Sequence, residues 1–398
     1  MPDWQPTPRT QGASVRAPAG TLLVLMPDRS RTFRSGGRRA VVVGAGSFGT
    51  AIAVLLARGG LRTTLQARTP EQAANLQADR ENRVYLPGIA FPEDLRIESA
   101  DAGLSRADFV FLGVPSRGLD ELLKTLPERG LRERTAVISL SKGLVPPDGR
   151  PPSAALRELF GAQRVAVIGG PAHAREMVTE GAALVAASAN EELARTIART
   201  FISAGVVCEE SNDPTGVELA GAAKNAAALA SGATEGQGLN AAGAAAGHIF
   251  AEVWRFAELH GARPESMIGL AGTGDLVATA LAPGSRNRRA GELLAEGIPG
   301  DEIPIRIGQA VESLESVPLL SRAVLDAGLE APVTTGLARL IAGEIPLDDW
   351  IALVRTTVPP RARWRATVQR GYWRRLWLRM RLRARRRNAD NMALPAPD

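Results

Sequence analysis

The sequence predicts an α/β domain followed by an all-α domain, on three observations. From Arg39 onward, short apolar runs rich in β-branched residues alternate with helical stretches, which is typical of βαβ units and a parallel sheet. After about Gly205 the chain is dominated by Ala, Gly and Leu, which favours long and closely packed helices. A glycine-rich turn, Gly44–Gly49, stands between the first predicted strand and the first predicted helix.

The predicted elements follow from this patterning in chain order. Buried strands are predicted where apolar runs end in a Gly or Pro loop: Ala40–Val43, Thr63–Ala67, Asp108–Val114, Ala136–Leu140 and Arg164–Ile168. Helices are predicted where apolar residues recur with helical spacing: Ser47–Arg58, most of residues 215–260, Glu292–Gly297, Ser316–Gly328 and Thr335–Ala342.

Length and composition place the chain among globular proteins. Its 398 residues suffice for roughly two or three domains, and 45% apolar with 23% charged residues excludes wholesale disorder. The chain has one cysteine, Cys208, which excludes an internal disulfide framework and argues against a cysteine-based zinc site. We therefore expect a cytoplasmic protein with no metal and no membrane-spanning helix.

Composition also divides the chain into four segments. Residues 1–37 are rich in Pro, Arg, Ser, Thr and Gly and are predicted to be a flexible extension. Residues 38–210 correspond to the α/β domain, and residues 211–355 to the helical domain. Residues 356–398 form an Arg-rich basic tail, in which twelve Arg but only two Asp occur. Because the whole chain has a net charge of only +6, the body without the tail is mildly acidic.

The glycine-rich turn has the spacing G-x-G-x-x-G in the context that gives this motif its meaning, between a strand and a helix. Gly44 makes the tight turn, Gly46 lets the backbone approach a pyrophosphate, and Gly49 allows close packing of helix on strand. The N-terminus of the following helix supplies free N–H groups for phosphates. The sequence therefore predicts a Rossmann-like, dinucleotide-binding domain, with a ligand-free glycine turn as the alternative.

The second strand bears on the choice of cofactor. In NAD-binding proteins an acidic residue about 20 residues after the turn binds the ribose 2′-hydroxyl. This chain has Arg68 there and no carboxylate, so contact with a 2′-phosphate is expected, and NADP is slightly favoured over NAD. A solvated surface arginine is the alternative.

Two lysines are the candidates for proton transfer. A nicotinamide-linked dehydrogenase needs a group that exchanges a proton with the substrate oxygen, and none of the three histidines has a setting that suggests this role. Only three of the 48 basic residues are lysines. Lys142 follows a predicted strand, at the sheet end where ligands bind, and Lys224 lies in an apolar, small-residue helix. A solvated surface lysine is the alternative reading of Lys224.

Two later segments offer substrate contacts. Asp275 stands in the tight glycine turn Gly272–Leu276, where it either forms the turn or orients a lysine and a substrate hydroxyl. Ser285, Arg286 and Asn287 place a hydroxyl, a guanidinium and an amide in series, a combination that can surround a phosphate. Helix capping by Ser285 beside an exposed arginine is the alternative.

Taken together, these segments resemble the bacterial-type NAD(P)-dependent glycerol-3-phosphate dehydrogenase family. The resemblance runs from about Arg39 to Thr335 and rests on ordered blocks: Gly44–Ala51, Asn82–Ile89, Gly113–Ser116, Ser141–Leu144, Gly170–Pro171, Gly216–Asn225, Ala271–Leu276 and Ser285–Asn287. It implies reversible reduction of dihydroxyacetone phosphate to sn-glycerol 3-phosphate, which supplies phospholipid synthesis. It also implies an active site between the two domains.

The resemblance further implies residue roles. Lys224 would be the catalytic proton donor and acceptor, with Lys142 and Asp275 completing the catalytic group. The implied substrate contacts are Lys142, Gly170, Lys224, Asp275, Ser285, Arg286 and Asn287. The implied cofactor contacts are Gly44, Gly46, Ser47, Phe48, Gly49, Arg68, Lys142, Ala174, Arg286 and Glu312. A homodimer is one option for the assembly.

Three departures from the family pattern keep other functions open. Ala172 stands where the family usually has Ser or Thr, the turn Gly236–Asn240 is shorter than usual, and Glu312 is followed by Ser313 instead of Gly. One alternative is a cofactor-binding paralogue without turnover. Another is a reductase of a different small oxo acid.

The basic tail lies beyond the resemblance. Between Arg361 and Arg387, arginines alternate with aromatic and aliphatic residues such as Trp364, Trp373 and Trp377. This composition is suited to an anionic membrane surface, or to single-stranded nucleic acid. A basic extension without a specific partner is the third option.

Overall fold

The computed structural model describes residues 37–282 and 284–358. The chain divides into two compact units, residues 1–355 and 356–398, and the β-sheet with the helices packed on it belongs to the first unit. The predicted flexible extension before Gly37 and the Arg-rich tail after Val358 lie outside the described residues.

The described residues contain ten strands. They are β1 (Arg39–Val43), β2 (Arg62–Ala67), β3 (Glu81–Asn82), β4 (Leu86–Ala90), β5 (Arg96–Ser99), β6 (Phe109–Leu112), β7 (Ala136–Ser139), β8 (Val165–Gly169), β9 (Ala183–Ser188) and β10 (Val207–Ser211). The five predicted strands are confirmed as β1, β2, β6, β7 and β8, with ends that differ by one or two residues.

Helices connect these strands and then build the second half of the fold. They are α1 (Ser47–Arg58), α2 (Pro70–Asp79), α3 (Leu119–Thr125), α4 (Pro152–Phe160), α5 (Ala174–Thr179), α6 (Glu191–Ser203), α7 (Pro214–Ala233), α8 (Leu239–Leu259), α9 (Pro264–Ile268), α10 (Asp275–Leu281), α11 (Arg286–Ala295), α12 (Ile303–Ile307), α13 (Glu312–Asp326), α14 (Pro332–Ile341) and α15 (Leu347–Thr356).

Eight strands form one sheet in the order β10-β9-β8-β7-β6-β1-β2-β5, and β3 pairs with β4 in a separate hairpin. The order reverses beside β1, which lies between β2 and β6. Such a reversal opens a crevice at the carboxyl ends of the strands, where α/β sheets bind ligands. The glycine-rich turn follows β1 and therefore lies at this crevice.

The sheet is parallel except at one pair. β8 and β9 run antiparallel, with Gly169 opposite Val185. The predicted parallel sheet is confirmed apart from this pair, where the chain between the two strands carries only the short α5 and β9 starts at the sheet end where β8 stops. β5, β9 and β10 are further strands of this sheet that were not predicted from the sequence.

Strand alternation explains why helices cover both faces of the sheet. Val42 of β1 belongs to a core shared with Ile52 of α1 and Phe201 of α6. Val41 and Val43, which point to the opposite face of the sheet from Val42, belong to a core shared with α3 and α4. Because side chains alternate along a strand, one apolar run supplies both cores.

The helical half is built around α7, which is buried along almost its whole length. Glycines let α11 approach it: a Cβ at Gly232 would lie 2.1 Å from the Arg288 carbonyl oxygen, and one at Gly291 would lie 2.0 Å from the Leu229 carbonyl oxygen. Such contacts tolerate no side chain, so the backbones of the two helices touch. The predicted Ala- and Gly-rich packing is thereby confirmed.

Three predicted helices start earlier than expected, and one of them is α14, which begins at Pro332 instead of Thr335. α11 begins at Arg286 instead of Glu292, because the Ser285 hydroxyl accepts a hydrogen bond from the Arg288 N–H and caps the helix. α13 begins at Glu312 instead of Ser316.

Within the described ranges, no helix is both long and apolar enough to cross a membrane.

Candidate active site

The glycine-rich turn has the shape that its spacing predicts. Gly44 has a φ of 111°, and a Cβ there would lie 2.5 Å from the Gly113 carbonyl oxygen. A Cβ at Gly49 would lie 2.1 Å from the Gly44 carbonyl oxygen, so both positions require glycine. By contrast, nothing lies within 4 Å of a Cβ placed on Gly46. The turn is therefore closed at its two ends and open at Gly46, where a phosphate can approach the backbone.

The first turn of α1 faces the same opening. Gly46 is the N-cap residue in an extended conformation and has no side-chain cap, while its carbonyl oxygen accepts from Thr50 N–H at 2.9 Å. The N–H groups of the first turn, including Ser47 and Phe48, have no partner within the helix. These donors and the helix dipole suit an anionic group such as a pyrophosphate. The residues of the turn thus fit a dinucleotide.

Arg68 immediately follows β2 and is exposed. β2 pairs with β1 in parallel, so Arg68 lies at the same sheet edge as the glycine-rich turn. This placement allows the guanidinium to approach the adenosine ribose of a dinucleotide bound at the turn.

Lys142, Lys224 and Asp275 meet in one cluster. Lys142 Nζ lies 3.0 Å and Lys224 Nζ 3.5 Å from the same carboxylate oxygen, Asp275 Oδ2. Lys224 is 6% and Asp275 2% exposed. The alternative of a solvated surface lysine at position 224 is therefore wrong, since every residue of α7 except Ser231 is buried.

Three separate parts of the fold bring these groups together. Lys142 follows β7 at the carboxyl end of the sheet, Lys224 lies in the middle of α7, and Asp275 opens α10. The segment before Asp275, Leu270–Gly274, forms a π-helical turn, a distortion that is frequent at functional sites. In this turn a Cβ on Gly272 would lie 1.9 Å from the Met267 carbonyl oxygen, so the close approach requires glycine.

The charges of the cluster shift one another's protonation. Burial lowers the pKa of the Lys224 amine from its ordinary value; Lys142 lowers it further, whereas Asp275 and Glu312 oppose the shift. Burial opposes ionisation of Asp275, but Lys142 and Lys224 outweigh it and hold the pKa of this carboxyl below its usual range. His173 acts on the pKa of Asp275 in the same direction. The carboxylate is thus stable, and the amine gives up its proton more readily than a free lysine does.

The cluster also reaches the cofactor side of the crevice. Lys142 Nζ donates to the Gly170 carbonyl oxygen at 3.0 Å and lies 5.4 Å from the centre of the Phe48 ring. Phe48 belongs to the first turn of α1, so one amine links the glycine-rich turn to Asp275. Ala174 begins α5, four residues after Gly170.

A network of amides joins the expected phosphate and cofactor residues. Asn287 Nδ2 donates to Asn225 Oδ1 at 2.8 Å, and Asn225 Nδ2 donates to Glu312 Oε2 at 3.1 Å and to the Lys142 carbonyl oxygen at 3.3 Å. Ser313 N–H donates to Asn287 Oδ1 at 3.2 Å, so the departure at Ser313 leaves the network intact. The network holds the start of α11 and the start of α13 next to Lys224.

Ser285 and Arg286 lie at the N-terminus of α11. Arg286 is exposed, and its Nη1 donates to the Ala310 carbonyl oxygen at 2.8 Å. The Ser285 hydroxyl already serves as the helix cap. The capping alternative from the sequence is therefore correct for Ser285, and the same helix end still offers unpaired N–H groups in its first turn.

Three polar residues of this site were not predicted from the sequence. Asn225 is the buried hub of the amide network, Thr279 Oγ1 donates to Asp275 Oδ1 at 3.4 Å, and His173 influences Asp275. The signal for Asn225 was its place directly after Lys224. Thr279 lies one helical turn after Asp275, which is the spacing at which side chains on a helix meet. Ala172 is buried, and as an alanine it lacks the hydroxyl that the Ser or Thr usual at this position in the family would provide.

The described residues offer no group of three or more His, Cys, Asp or Glu side chains that could hold a metal ion. What the site does offer is a paired lysine–aspartate proton donor beside a phosphate-accepting turn. This arrangement can supply a proton to an oxygen atom while a dinucleotide lies on α1.

Comparisons with known proteins agree with this arrangement. A family model described as NAD-dependent glycerol-3-phosphate dehydrogenase N-terminus matches residues 39–194, and the corresponding C-terminus model matches residues 213–352. A relative from Deinococcus radiodurans, named glycerol-3-phosphate dehydrogenase (NAD(P)+), is 40% identical over 308 residues, which cover 76% of this chain and 90% of that protein. A relative of the same name from Caulobacter vibrioides is 36% identical over 318 residues, which cover 78% and 95%.

Solved structures show the same fold. The crystal structure of glycerol-3-phosphate dehydrogenase from Coxiella burnetii matches with a TM-score of 0.75 and 29% identity, over 80% of this chain and 99% of that chain.

Proposed function

Because the chain belongs to the NAD-dependent glycerol-3-phosphate dehydrogenase family, we propose that it reduces dihydroxyacetone phosphate reversibly to sn-glycerol 3-phosphate with NADH or NADPH. The observation that carries this function is the shared contact of Lys142 and Lys224 with one oxygen of Asp275. It supplies a proton donor where the glycine-rich turn, through Phe48, reaches the cluster.

Lys224 is the proton donor in the direction of reduction. When bound, the nicotinamide cofactor supplies the hydride for the carbonyl carbon. As that carbon is reduced, negative charge develops on its oxygen, and the Lys224 ammonium donates a proton to it. The lowered pKa of Lys224 makes this donation easier than from a free lysine. In the direction of oxidation, the neutral amine accepts the hydroxyl proton.

Lys142 and Asp275 keep the reacting oxygen and the donor in place. The Lys142 ammonium stabilises negative charge on the substrate oxygen, since it lies beside the same carboxylate as Lys224. Asp275 favours the charged form of Lys224 in a buried site and accepts from Lys142, which fixes both amines in position. A substrate hydroxyl is the further partner that we assign to this carboxylate.

The N-terminus of α11 takes the substrate phosphate. Arg286 supplies a guanidinium, and the first-turn N–H groups supply further donors. The Asn287–Asn225 hydrogen bond of 2.8 Å places this end of α11 beside Lys224. Phosphate binding there holds the carbonyl carbon at a fixed distance from the amine, which raises the reaction rate as well as the affinity.

Arg68 is proposed to contact the 2′-phosphate of NADPH, so we expect some preference for NADPH over NADH. Association of the Arg-rich tail with an anionic membrane, a homodimeric state and a cytoplasmic location also stay predictions. For the tail, the test is co-sedimentation with anionic vesicles: deletion of residues 361–398 should abolish it, and unchanged binding would remove the membrane hypothesis.

One assay tests the proposed function. Oxidation of NADH and of NADPH is followed with dihydroxyacetone phosphate, and in parallel with unphosphorylated oxo acids. Turnover of dihydroxyacetone phosphate is expected. Binding of the cofactor without its oxidation would instead indicate the paralogue without turnover. Turnover of unphosphorylated compounds alone would indicate the other reductase.

A further inference from the structure

Asn82 makes two hydrogen bonds to the glycine-rich turn from a distant part of the sequence. Its Nδ2 donates to the Ala45 carbonyl oxygen at 2.9 Å and to Thr50 Oγ1 at 2.9 Å. Asn82 is 2% exposed, and Thr50 is completely buried. One side-chain amide therefore connects the βα turn to the first turn of α1, from outside both elements.

The bond to Ala45 fixes the direction of a neighbouring donor. In a trans peptide the C=O group and the following N–H point in opposite directions. Because Asn82 holds the Ala45 carbonyl on one side, the Gly46 N–H must point to the other side. Nothing lies within 4 Å of a Cβ placed on Gly46, so the backbone at this position is open to an approaching phosphate.

Asn82 is itself firmly positioned. It ends β3, which pairs with β4, and its Oδ1 accepts from the Tyr85 N–H at 3.2 Å. Arg80, two residues before Asn82, donates to the carbonyl oxygens of Pro92 at 2.5 Å and Leu95 at 3.0 Å. The Asn82 amide is thus held by a braced hairpin, and its separate nitrogen and oxygen atoms let it donate to Ala45 and accept from Tyr85 at the same time.

We propose that Asn82 is a positioning residue for the cofactor. By holding the Ala45 carbonyl, it orients the Gly46 N–H toward the diphosphate of the bound dinucleotide. The inference rests on the proposed function, since it requires a dinucleotide on this turn. It assigns a role to the hairpin residue that neither the fingerprint nor the catalytic cluster explains.

The test compares the affinity for diphosphates with the affinity for the other substrate. In the full chain, Asn82→Ala is expected to raise the Kd for NADH and the Kd for ADP by the same factor, about tenfold. ADP binding, measured by calorimetry, needs no turnover. The KM for dihydroxyacetone phosphate and kcat at saturating NADH are expected to stay unchanged, because the lysine cluster keeps its contacts.

Two further variants make the comparison specific. Asn82→Asp keeps the side-chain volume and the acceptor for Tyr85 N–H but has no donor for Ala45, so it should lose at least as much ADP affinity as Asn82→Ala. Asn190→Ala is the matched control: Asn190 also makes several hydrogen bonds, to Glu192 and Leu193 N–H and to the Gln163 carbonyl oxygen, but it caps α6. It should leave ADP affinity unchanged.

The outcomes separate this inference from the proposed function. If the unaltered chain binds neither ADP nor NADH, the dinucleotide site and the proposed function both fail. If it binds ADP and both Asn82 variants bind ADP equally well, only the inference fails. An equal rise in the KM for dihydroxyacetone phosphate, or failure of both variants to fold, would overturn it as well, because Asn82 would then support the fold in general.

Discussion

The Asp275 carboxylate lies 3.0 Å from the Lys142 amine, although the two residues are 133 positions apart in the sequence. The same carboxylate oxygen lies 3.5 Å from Lys224 Nζ, so one buried anion is in contact with two cations. Three charges in so small a space have one positive charge left over. That excess suits a site in which negative charge develops on a substrate oxygen.

The first prediction concerns the pH dependence of turnover. Burial lowers the pKa of Lys224 from the ordinary value of 10.5, and reduction needs its protonated form. kcat/KM for dihydroxyacetone phosphate should therefore fall on the alkaline side with a midpoint below 10.5, whereas kcat/KM for sn-glycerol 3-phosphate oxidation should rise through the same range. Initial rates across the pH range measure both.

A variant assigns this midpoint to the cluster. Lys142→Gln removes a positive charge that lowers the pKa of Lys224. In the residual activity of this variant, the alkaline fall of kcat/KM for dihydroxyacetone phosphate should therefore have its midpoint at a higher pH than in the unaltered enzyme. A midpoint that moves to lower pH would show that another group titrates.

The second prediction concerns recognition of the substrate phosphate. Arg286→Ala should raise the KM for dihydroxyacetone phosphate about tenfold or more and should also lower kcat, because phosphate binding positions the reacting carbon. The slow reduction of unphosphorylated dihydroxyacetone should hardly change. Arg289→Ala is the matched control, since Arg289 lies on the same helix but pairs with Glu292 and Glu296 on the surface. Equal losses with both substrates would place Arg286 outside the phosphate site.

The third prediction concerns the choice of cofactor. Arg68→Ala should raise the KM for NADPH about tenfold and leave the KM for NADH unchanged, because only NADPH carries the 2′-phosphate. Arg62→Ala alters an exposed arginine at the other end of β2 and should affect neither. An Arg68 variant with unaltered kinetics for both cofactors would identify Arg68 as a solvated surface residue.

The fourth prediction concerns stability. Burial raises the pKa of Glu218 from 4.5 to about 8, against the opposing effects of its hydrogen bonds from Ser153 and the charge on Arg157. The folded state therefore binds this proton more tightly than the unfolded state does, so the free energy of unfolding should fall as pH rises from about 4.5 to about 8.

Denaturant titrations over this range test the assignment. Glu218→Gln removes the titrating group but keeps an acceptor for the Ser153 N–H, which lies 2.9 Å from Glu218 Oε1. Its stability should depend less on pH than that of the unaltered chain. Glu258→Gln, at an exposed position, is the control. The same pH dependence in all three chains would show that Glu218 is not its source.

Local patterns were sufficient to predict part of the fold. The strand before the glycine-rich turn and the helix Ser47–Arg58 were correct because their signals, a β-branched run and glycine spacing, lie within neighbouring residues. β9 and β10 were missed because their sequences, rich in Ala and Glu, carry no strand pattern. Pairing with β8 and with each other makes them strands.

The site shows the same division between local and distant information. Lys142, Lys224 and Asp275 were each suggested by residue type and local context, and the resemblance joined them. The hydrogen bonds that hold them in place could not be predicted, because partners such as Asn225 and Glu312 are 87 positions apart. A single sequence does not show which distant residues become neighbours in space. Here the packing of α7 against α11 and α13 brings these hydrogen-bond partners together.

The most direct test of Lys224 as the proton donor is the rate of cofactor oxidation by Lys224→Ala with saturating dihydroxyacetone phosphate. We expect kcat to fall about a thousandfold, with the Kd for NADH unchanged, because the proton donor is lost and the glycine-rich turn is not. Lys124→Ala provides the matched control, since this lysine is exposed and pairs with Glu121 on the surface. It should keep full activity. A Lys224→Ala enzyme that turns over as fast as the Lys124→Ala enzyme would contradict the assignment of Lys224 as the proton donor.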